Sequence, residues 1–221
     1  MNIIKPHFEW VGGKAPDGVA IISRIAEMGR VAYQTEPGGK SDADFVRHII
    51  ARGHESVLEH AIVSVKIVCD RGVTHEEVRH RVASYTQEST RYCNYSKDKF
   101  GKTITYIDLK GGIMLCPVTS KLPLDTIRDI WGDWWAACCD AEKHYMRMLE
   151  LGASPQIARS VLNNSTKTQI ATTMNIREWR HFFRLRTAPD AHPQMREMSN
   201  MLLGWFKTYI PVVFDDIEVS A

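Results

Sequence analysis

Ala61-Ile62-Val63-Ser64-Val65-Lys66-Ile67-Val68-Cys69 repeats with a period of two. Val63, Val65, Ile67 and Cys69 share one face and Ile62, Ser64, Lys66 and Val68 the other, the pattern of a strand laid against a core. Before it the period is helical. Asp17 caps a helix whose Ile21, Ile25, Met28 and Ala32 recur at i, i+4, i+7 and i+11. After a loop over 35–40, Ser41 caps a second helix with Phe45, Ile49 and Ile50 as its apolar stripe and Gly53 at its left-handed end. Beyond the strand, Thr74 and Glu77 form a capping box for a short helix that carries Arg79, His80 and Arg81. Residues 92–116 read as weaker strand and loop. A long helix follows Asp125, with Ile127, Ile130, Trp131, Trp134, Cys138, Ala141, Tyr145 and Met148 on its broad face and Gly152 at its end; the two tryptophans read as core. Ser154-Pro155 opens a short helix, the Thr-rich run 166–174 predicts a strand, Asn175 with Glu178 caps another helix, and a last one runs from about His192 to Phe206. Strands interleave irregularly with helices, which predicts an α+β fold, with one domain over 1–221.

At 221 residues the chain buries roughly 70% of the surface its unfolded form exposes, enough for a core without disulfides or metal. The 44% apolar and 24% charged fractions exclude disorder, and no run nears the ~20 apolar residues a membrane helix needs. Residues Met1 to Trp10 lack an apolar h-region, so cytoplasm is the expected compartment. The five cysteines are odd in number, include the adjacent Cys138 and Cys139, and form no C-x-x-C, so they read as free thiols. The net charge of +2 is small but unevenly placed. Residues 156–186 hold six basic side chains against Glu178, 71–102 hold seven against four acidic ones, and the tail carries Asp215, Asp216 and Glu218.

On the helix that starts after Asn175, Ile176, Trp179, Phe182 and Phe183 share one face, with Arg177, Arg180, His181 and Arg184 opposite. Arg186 lies seven positions after Trp179 and returns to the apolar face, where a guanidinium is costly unless paired. Either it meets Asp190 or Glu197 in an ion pair, or its fork holds an anionic ligand edge. Arg79-His80-Arg81 offers further cationic side chains near a helix start, Glu88, Ser89 and Arg91 follow in a polar stretch, and Gly53-His54-Glu55-Ser56 precedes the strand that leads there; so many donors suit a phosphate or dinucleotide. No Walker A motif and no G-x-G-x-x-G is present, Ser89 lacks a Ser-His-Asp partner pattern, and His54, Glu59 and His60 lack metal-ligand spacing, so no metal is expected.

These residues resemble a known family. Arg79-His80-Arg81, seven residues, then Ser89 and Arg91-Tyr92 is similar to the signature of the flavin-dependent thymidylate synthases. Gly53-His54-Glu55-Ser56 with Glu59-His60, Ala158-Arg159-Ser160-Val161-Leu162, and Asn175-Ile176-Arg177-Glu178 through Leu185-Arg186 resemble the family's other segments in the same order, over about 17–208. The resemblance implies an α+β subunit with a central, largely antiparallel sheet flanked by helices, in a homotetramer whose active sites draw on several chains. It implies conversion of dUMP to dTMP with 5,10-methylenetetrahydrofolate as carbon donor, NADPH as reductant and FAD as cofactor, without an enzyme nucleophile. Carried over by motif position, Ser56, Arg79, His80, Arg81, Asn175, Ile176, Arg177 and His181 would contact FAD. Glu76, Glu77, Val78, Arg79, Gln87, Glu88, Ser89, Thr90, Arg91, Arg159 and Arg186 would hold dUMP, and Arg186, Ser89 and His54 form the catalytic group. Arg186 would favour the ionised N3 of the uracil. Thr86, Asn163 and His192 depart from the usual Asn, Pro and Gln, which bears on loop geometry and ligand affinity.

Two other classes compete. The basic windows with interspersed aromatics suit a non-catalytic nucleic-acid-binding module, against which the balanced total charge argues, so no nucleic acid and no membrane is expected as partner. A family member acting on another pyrimidine nucleotide, or only oxidising NADPH, would carry the same motifs.

Overall fold

The structure is a computed structural model that describes residues 1–34 and 39–219. Two short strands, β1 (Asn2–Ile4) and β2 (His7–Trp10), precede α1 (Gly18–Tyr33) and α2 (Asp42–Ala51). Asp17 accepts the Ala20 N–H and Ser41 the Asp44 N–H, as N-caps should. Gly53 follows α2 at φ +70°, the left-handed stop expected there. The buried stripe of α1 is Ile22, Ile25 and Ala26 with Gly29, one position round from the expected face, and Ala32 is exposed. The cause is Gly29: a Cβ there would stand 2.7–2.8 Å from Ile49 and Phe45, so α2 packs where the side chain is missing. Of the loop expected over 35–40, residues 35–38 lie outside the described ones.

The alternating run becomes β3 (Ile62–Asp70), followed by α3 (Arg71–Glu77), β4 (Ala83–Gln87), β5 (Thr105–Ile107) and α4 (Lys110–Leu115). Helix α4, within the stretch expected to be strand and loop, lies at its two glycines against Gln194 and Glu197; a Cβ at Gly112 would meet Gln194 at 2.5 Å. The long helix is α5 (Leu124–Glu150), with α6 (Pro155–Ala158), β6 (Lys167–Asn175), α7 (Ile176–Arg186) and α8 (Pro193–Tyr209) completing the chain. Four strands pair in the order β2-β3-β6-β4, all antiparallel, with β3 and β6 in register from Ile62↔Asn175 to Asp70↔Lys167. Strands β1 and β5 form a separate parallel pair.

Val63, Val65, Ile67 and Cys69 of β3, with Ile170 and Met174 of β6, pack on α1, α7 and α8 around Trp179, Phe182, Phe183, Phe206 and Phe214. A smaller cluster of Tyr95, Ile104, Tyr106, Cys138, Tyr145 and Ala158 sits under α5. Trp131 and Trp134, expected in the core, are half-buried and donate their indole N–H groups to Asp108 and Ser165 at 2.9 and 2.8 Å. Helix α5 covers only the small cluster, so Cys138, Ala141 and Tyr145 alone of its residues are buried. No described helix is long and apolar enough to cross a membrane.

Candidate active site

Helix α3 starts at the last residue of β3, not at Thr74. Asp70 Oδ1 accepts the Val73 N–H at 2.8 Å, which caps the helix where the strand ends, and the Thr74 hydroxyl turns back to donate to the Arg71 carbonyl. The helix is therefore finished at Glu77, and Arg79, His80 and Arg81 follow its C-terminal end rather than opening its first turn. Cations suit that end of the helix dipole. The Tyr85 hydroxyl lies 2.8 Å from the carbonyls of both Glu77 and His80 and pins this turn to β4.

His80 is drawn into the protein while its neighbours are not. Its Nδ1 is 3.0 Å from Glu178 Oε1 on the first turn of α7, its Nε2 is 3.1 Å from Nε of Arg186 on the last, and its ring meets those of His181 and Phe182 at 5.5 and 5.0 Å. Burial holds its pKa below the usual imidazole value, partly offset by the hydrogen bond to Glu178. Arg186 does meet an anion, but neither Asp190 nor Glu197: its Nη1 donates to Glu76 Oε2 at 2.6 Å and its Nη2 to the Glu76 carbonyl at 2.9 Å. Sequence spacing favoured partners nearby in the chain, whereas the pairing spans 110 residues. Arg79 and Arg81 are exposed and form no ion pair among the described residues.

Glu77 and Ile176, expected contacts like His80, also have their side chains turned inward. Glu77 is completely buried, with Oε1 taking the Thr172 hydroxyl and Oε2 without a partner among the described residues; burial pushes its carboxyl up to about 7. Ile176 belongs to the core. Both therefore offer a ligand no more than backbone.

The turn 54–60 carries His54 and Ser56, both exposed, and is tied to α7 by Arg177 to Glu59 at 2.5 Å and by Glu55 to Arg180 and Arg184. Arg180, expected on the polar face, has no exposed side-chain surface. It bonds the Val213 carbonyl, Asp216 through both Nη atoms at 2.7 Å, and Glu55. Burial raises the Glu55 and Asp216 carboxyls, and the bonds from Arg180 and Arg184 more than reverse this, so both end below the usual range.

A second group gathers at the other end of β4. Gln87 donates to Thr74 and Thr168, Glu88 accepts from Tyr95 at 2.9 Å and Lys167 at 2.7 Å, and the Ser89 carbonyl accepts two N–H groups in a tight turn. Thr90 is buried and takes Arg159 Nη1 at 3.1 Å, while Arg91 donates to Gln156 and lies over the Tyr92 ring. Neither Arg91 nor Arg159 has a carboxylate partner among the described residues. Strand β4 runs between the two groups, and Gln87 at its end reaches back to Thr74 of α3. A cleft of about 900 Å³ between α1 and the start of β3 is lined by His60 of the turn 54–60 and by no other residue named above for the site. Asn163 shapes its turn without proline, through Oδ1 to the Ser165 N–H and its carbonyl to Thr166.

Sequence reasoning missed Glu178 as a site residue, because its position as a cap partner accounted for it. Asn175 does cap α7 by accepting the Glu178 N–H at 2.8 Å, but the Glu178 carboxylate goes to His80. Glu55 and Asp216 were missed because nothing local marks partners separated by the length of the chain.

The two groups include four guanidinium groups, those of Arg79, Arg81, Arg91 and Arg159, with no carboxylate partner among the described residues, a chemistry that suits phosphorylated ligands. The family model described as "Thymidylate synthase complementing protein" matches residues 21–212. Flavin-dependent thymidylate synthases from Mycolicibacterium gilvum and Mycobacterium tuberculosis are each 33% identical to the chain, covering 98% and 87% of it and 86% and 78% of their own lengths. Solved structures of a UMP/dUMP methylase from Streptomyces cacaoi, bound with 5-Br UMP or 5-Br dUMP, share the fold at TM-scores of 0.76 and 0.75, with 22% and 23% identity over 97% of the chain and 95% and 96% of theirs. The chain belongs to the Thy1 family, that of the flavin-dependent thymidylate synthases.

Proposed function

We propose that this chain methylates dUMP to dTMP, with 5,10-methylenetetrahydrofolate as carbon donor, NADPH as reductant and FAD as cofactor, as a cytoplasmic homotetramer. The observation that carries the reading is Arg186. A guanidinium has five N–H groups and internal bonds use three, leaving one on each Nη of a side chain that is 16% exposed. Two donors on a permanent cation suit a pyrimidine edge on which negative charge develops. Arg159, Arg91 and the Ser89 hydroxyl serve the phosphate. Gln87 and Glu88, whose polar ends are already engaged, shape the turn that presents them. Ser89 Oγ accepts the Arg91 N–H at 3.3 Å and has no base beside it among the described residues, which agrees with a reaction that needs no enzyme nucleophile.

The residues fit FAD. Arg79, Arg81, His181 and Ser56 are exposed, with two spare guanidinium groups among them, and Asn175 and Arg177 stand at the N-terminus of α7, a donor set suited to a diphosphate. When bound, FAD supplies the redox chemistry of the reaction. His54 lies on the same turn as Ser56, where it would adjoin the cofactor. The separation of the two donor groups along β4 supports a site that takes one group from each of two chains. Visible spectroscopy under exclusion of oxygen tests the reading: an oxidised-flavin spectrum that NADPH bleaches is expected. A protein that takes up no flavin after incubation with excess FAD and gel filtration would overturn it.

A further inference from the structure

Both ring nitrogens of His80 are engaged, and one of the partners can act in only one way. A guanidinium donates and never accepts, so Nε2, 3.1 Å from Arg186 Nε, carries the lone pair, and the ring proton is on Nδ1, 3.0 Å from Glu178 Oε1. The ring is nearly sealed, with 3% of its side chain exposed, and burial keeps it neutral. The bonds therefore run in one direction, from Arg186 Nε–H to His80 and from His80 Nδ1–H to the Glu178 carboxylate. Without an acceptor at Nδ1 the proton is free to occupy Nε2, where it would point at the Arg186 N–H and push the guanidinium away.

The same atoms admit another occupant. His80, Glu178 and His181 offer ligand atoms within 4.8 Å of one another, enough to surround a metal ion. A metal needs a lone pair, and the one on His80 is already taken by Arg186. Binding at Nδ1 would move the proton to Nε2 and break that contact, so the arrangement favours the relay.

We infer that Glu178 is a positioning residue: by fixing His80 as its Nδ1–H tautomer, it holds the Arg186 guanidinium in the one orientation that leaves a spare N–H on each Nη. The inference rests on the reading of Arg186 as the pyrimidine anchor. A carboxylate on the first turn of α7 thus controls a cation on its last turn through a ring from another part of the chain.

The test uses the FAD-loaded protein. Nitrogen-15 spectra of His80 report the tautomer, and calorimetry reports dUMP binding, in wild type, Glu178→Ala, Glu178→Gln and Arg186→Ala. Wild type is expected to show the Nδ1–H form. Glu178→Ala should lose it and bind dUMP about tenfold more weakly, and Glu178→Gln, whose amide oxygen still accepts, should restore both. Normal dUMP binding by Arg186→Ala would sink the anchor reading itself. Loss of dUMP by Arg186→Ala with undiminished binding by Glu178→Ala would leave the anchor standing and overturn the relay. Should Glu178→Ala fail to fold, the wild-type spectrum decides, because an Nε2–H ring contradicts the inference outright.

Discussion

Arg186 returns to the apolar side of α7 seven residues after Trp179, and the structure surrounds it with bonds that only its planar fork makes at once: His80 on one edge, Glu76 twice on the others. Lysine keeps the charge but gathers its three donors at one point. We expect Arg186→Lys to lower turnover about a hundredfold while moving the melting temperature by no more than a few degrees. Wild-type kcat in that variant, measured beside its melting curve, would remove Arg186 from the chemistry. Glu77 makes the opposite case, a carboxyl with no role toward ligand. Its folded pKa of about 7 stands above the ordinary glutamate value of 4.5, so the folded protein holds the proton more tightly than the unfolded chain. The resulting stability is complete below about pH 4.5 and is lost as the pH rises to about 7, a change of about 3 kcal/mol by linkage. Glu77→Gln mimics the protonated form and should abolish this part of the loss, seen as a higher melting temperature than wild type at pH 8 and a small difference at pH 4.5. Equal pH dependence in both proteins would contradict it.

At the scale of elements, strands and caps were legible where the signal is local. The period of two at 61–69 becomes β3, Asp17, Ser41 and Asn175 cap the helices they were expected to cap, and Gly53 ends α2. The expected cap Thr74 gave way to Asp70, which closes the helix at the end of a strand, and this moved Arg79 to Arg81 off the helix. The short strands β1, β2 and β4 escaped because pairing with distant partners, not their own pattern, makes them strands. Arg180 shows the same blindness in the site. Helical phase put it among the polar residues, yet the tail folds back to cover it and supplies Asp216. Removing the guanidinium leaves Glu55 and Asp216 with the half-exposed Arg184 alone, so Arg180→Ala should cost about 3 kcal/mol in a denaturant melt. Glu55 and Asp216 have depressed pKa values, so the stability they share with Arg180 is present above the ordinary carboxylate range and is lost as the pH falls through their folded values. An Arg180→Ala protein as stable as wild type would show the network to be dispensable.

For the whole molecule, the motifs named the ligands but not where they meet. The chain brings Glu76, His80, His181 and Arg186 together, and gathers Ser89, Thr90, Arg91 and Arg159 at the far end of β4. No rule of sequence spacing distinguishes one site from two half-sites, since that depends on how copies pack. If each site takes one group from each of two chains, Arg91→Ala and Arg186→Ala proteins, each inactive alone, should complement on mixing after subunit exchange and recover about a quarter of wild-type activity. A mixture as inactive as its components would place both groups in one chain's site.

The central claim is the reaction, and the product tests it most directly. The purified protein, supplied with FAD, NADPH, 5,10-methylenetetrahydrofolate and dUMP under exclusion of oxygen, should yield dTMP by chromatography, and none when either the folate or FAD is omitted. Flavin that binds and is reduced while dUMP is recovered unchanged, or methylation of UMP in place of dUMP, would contradict the account.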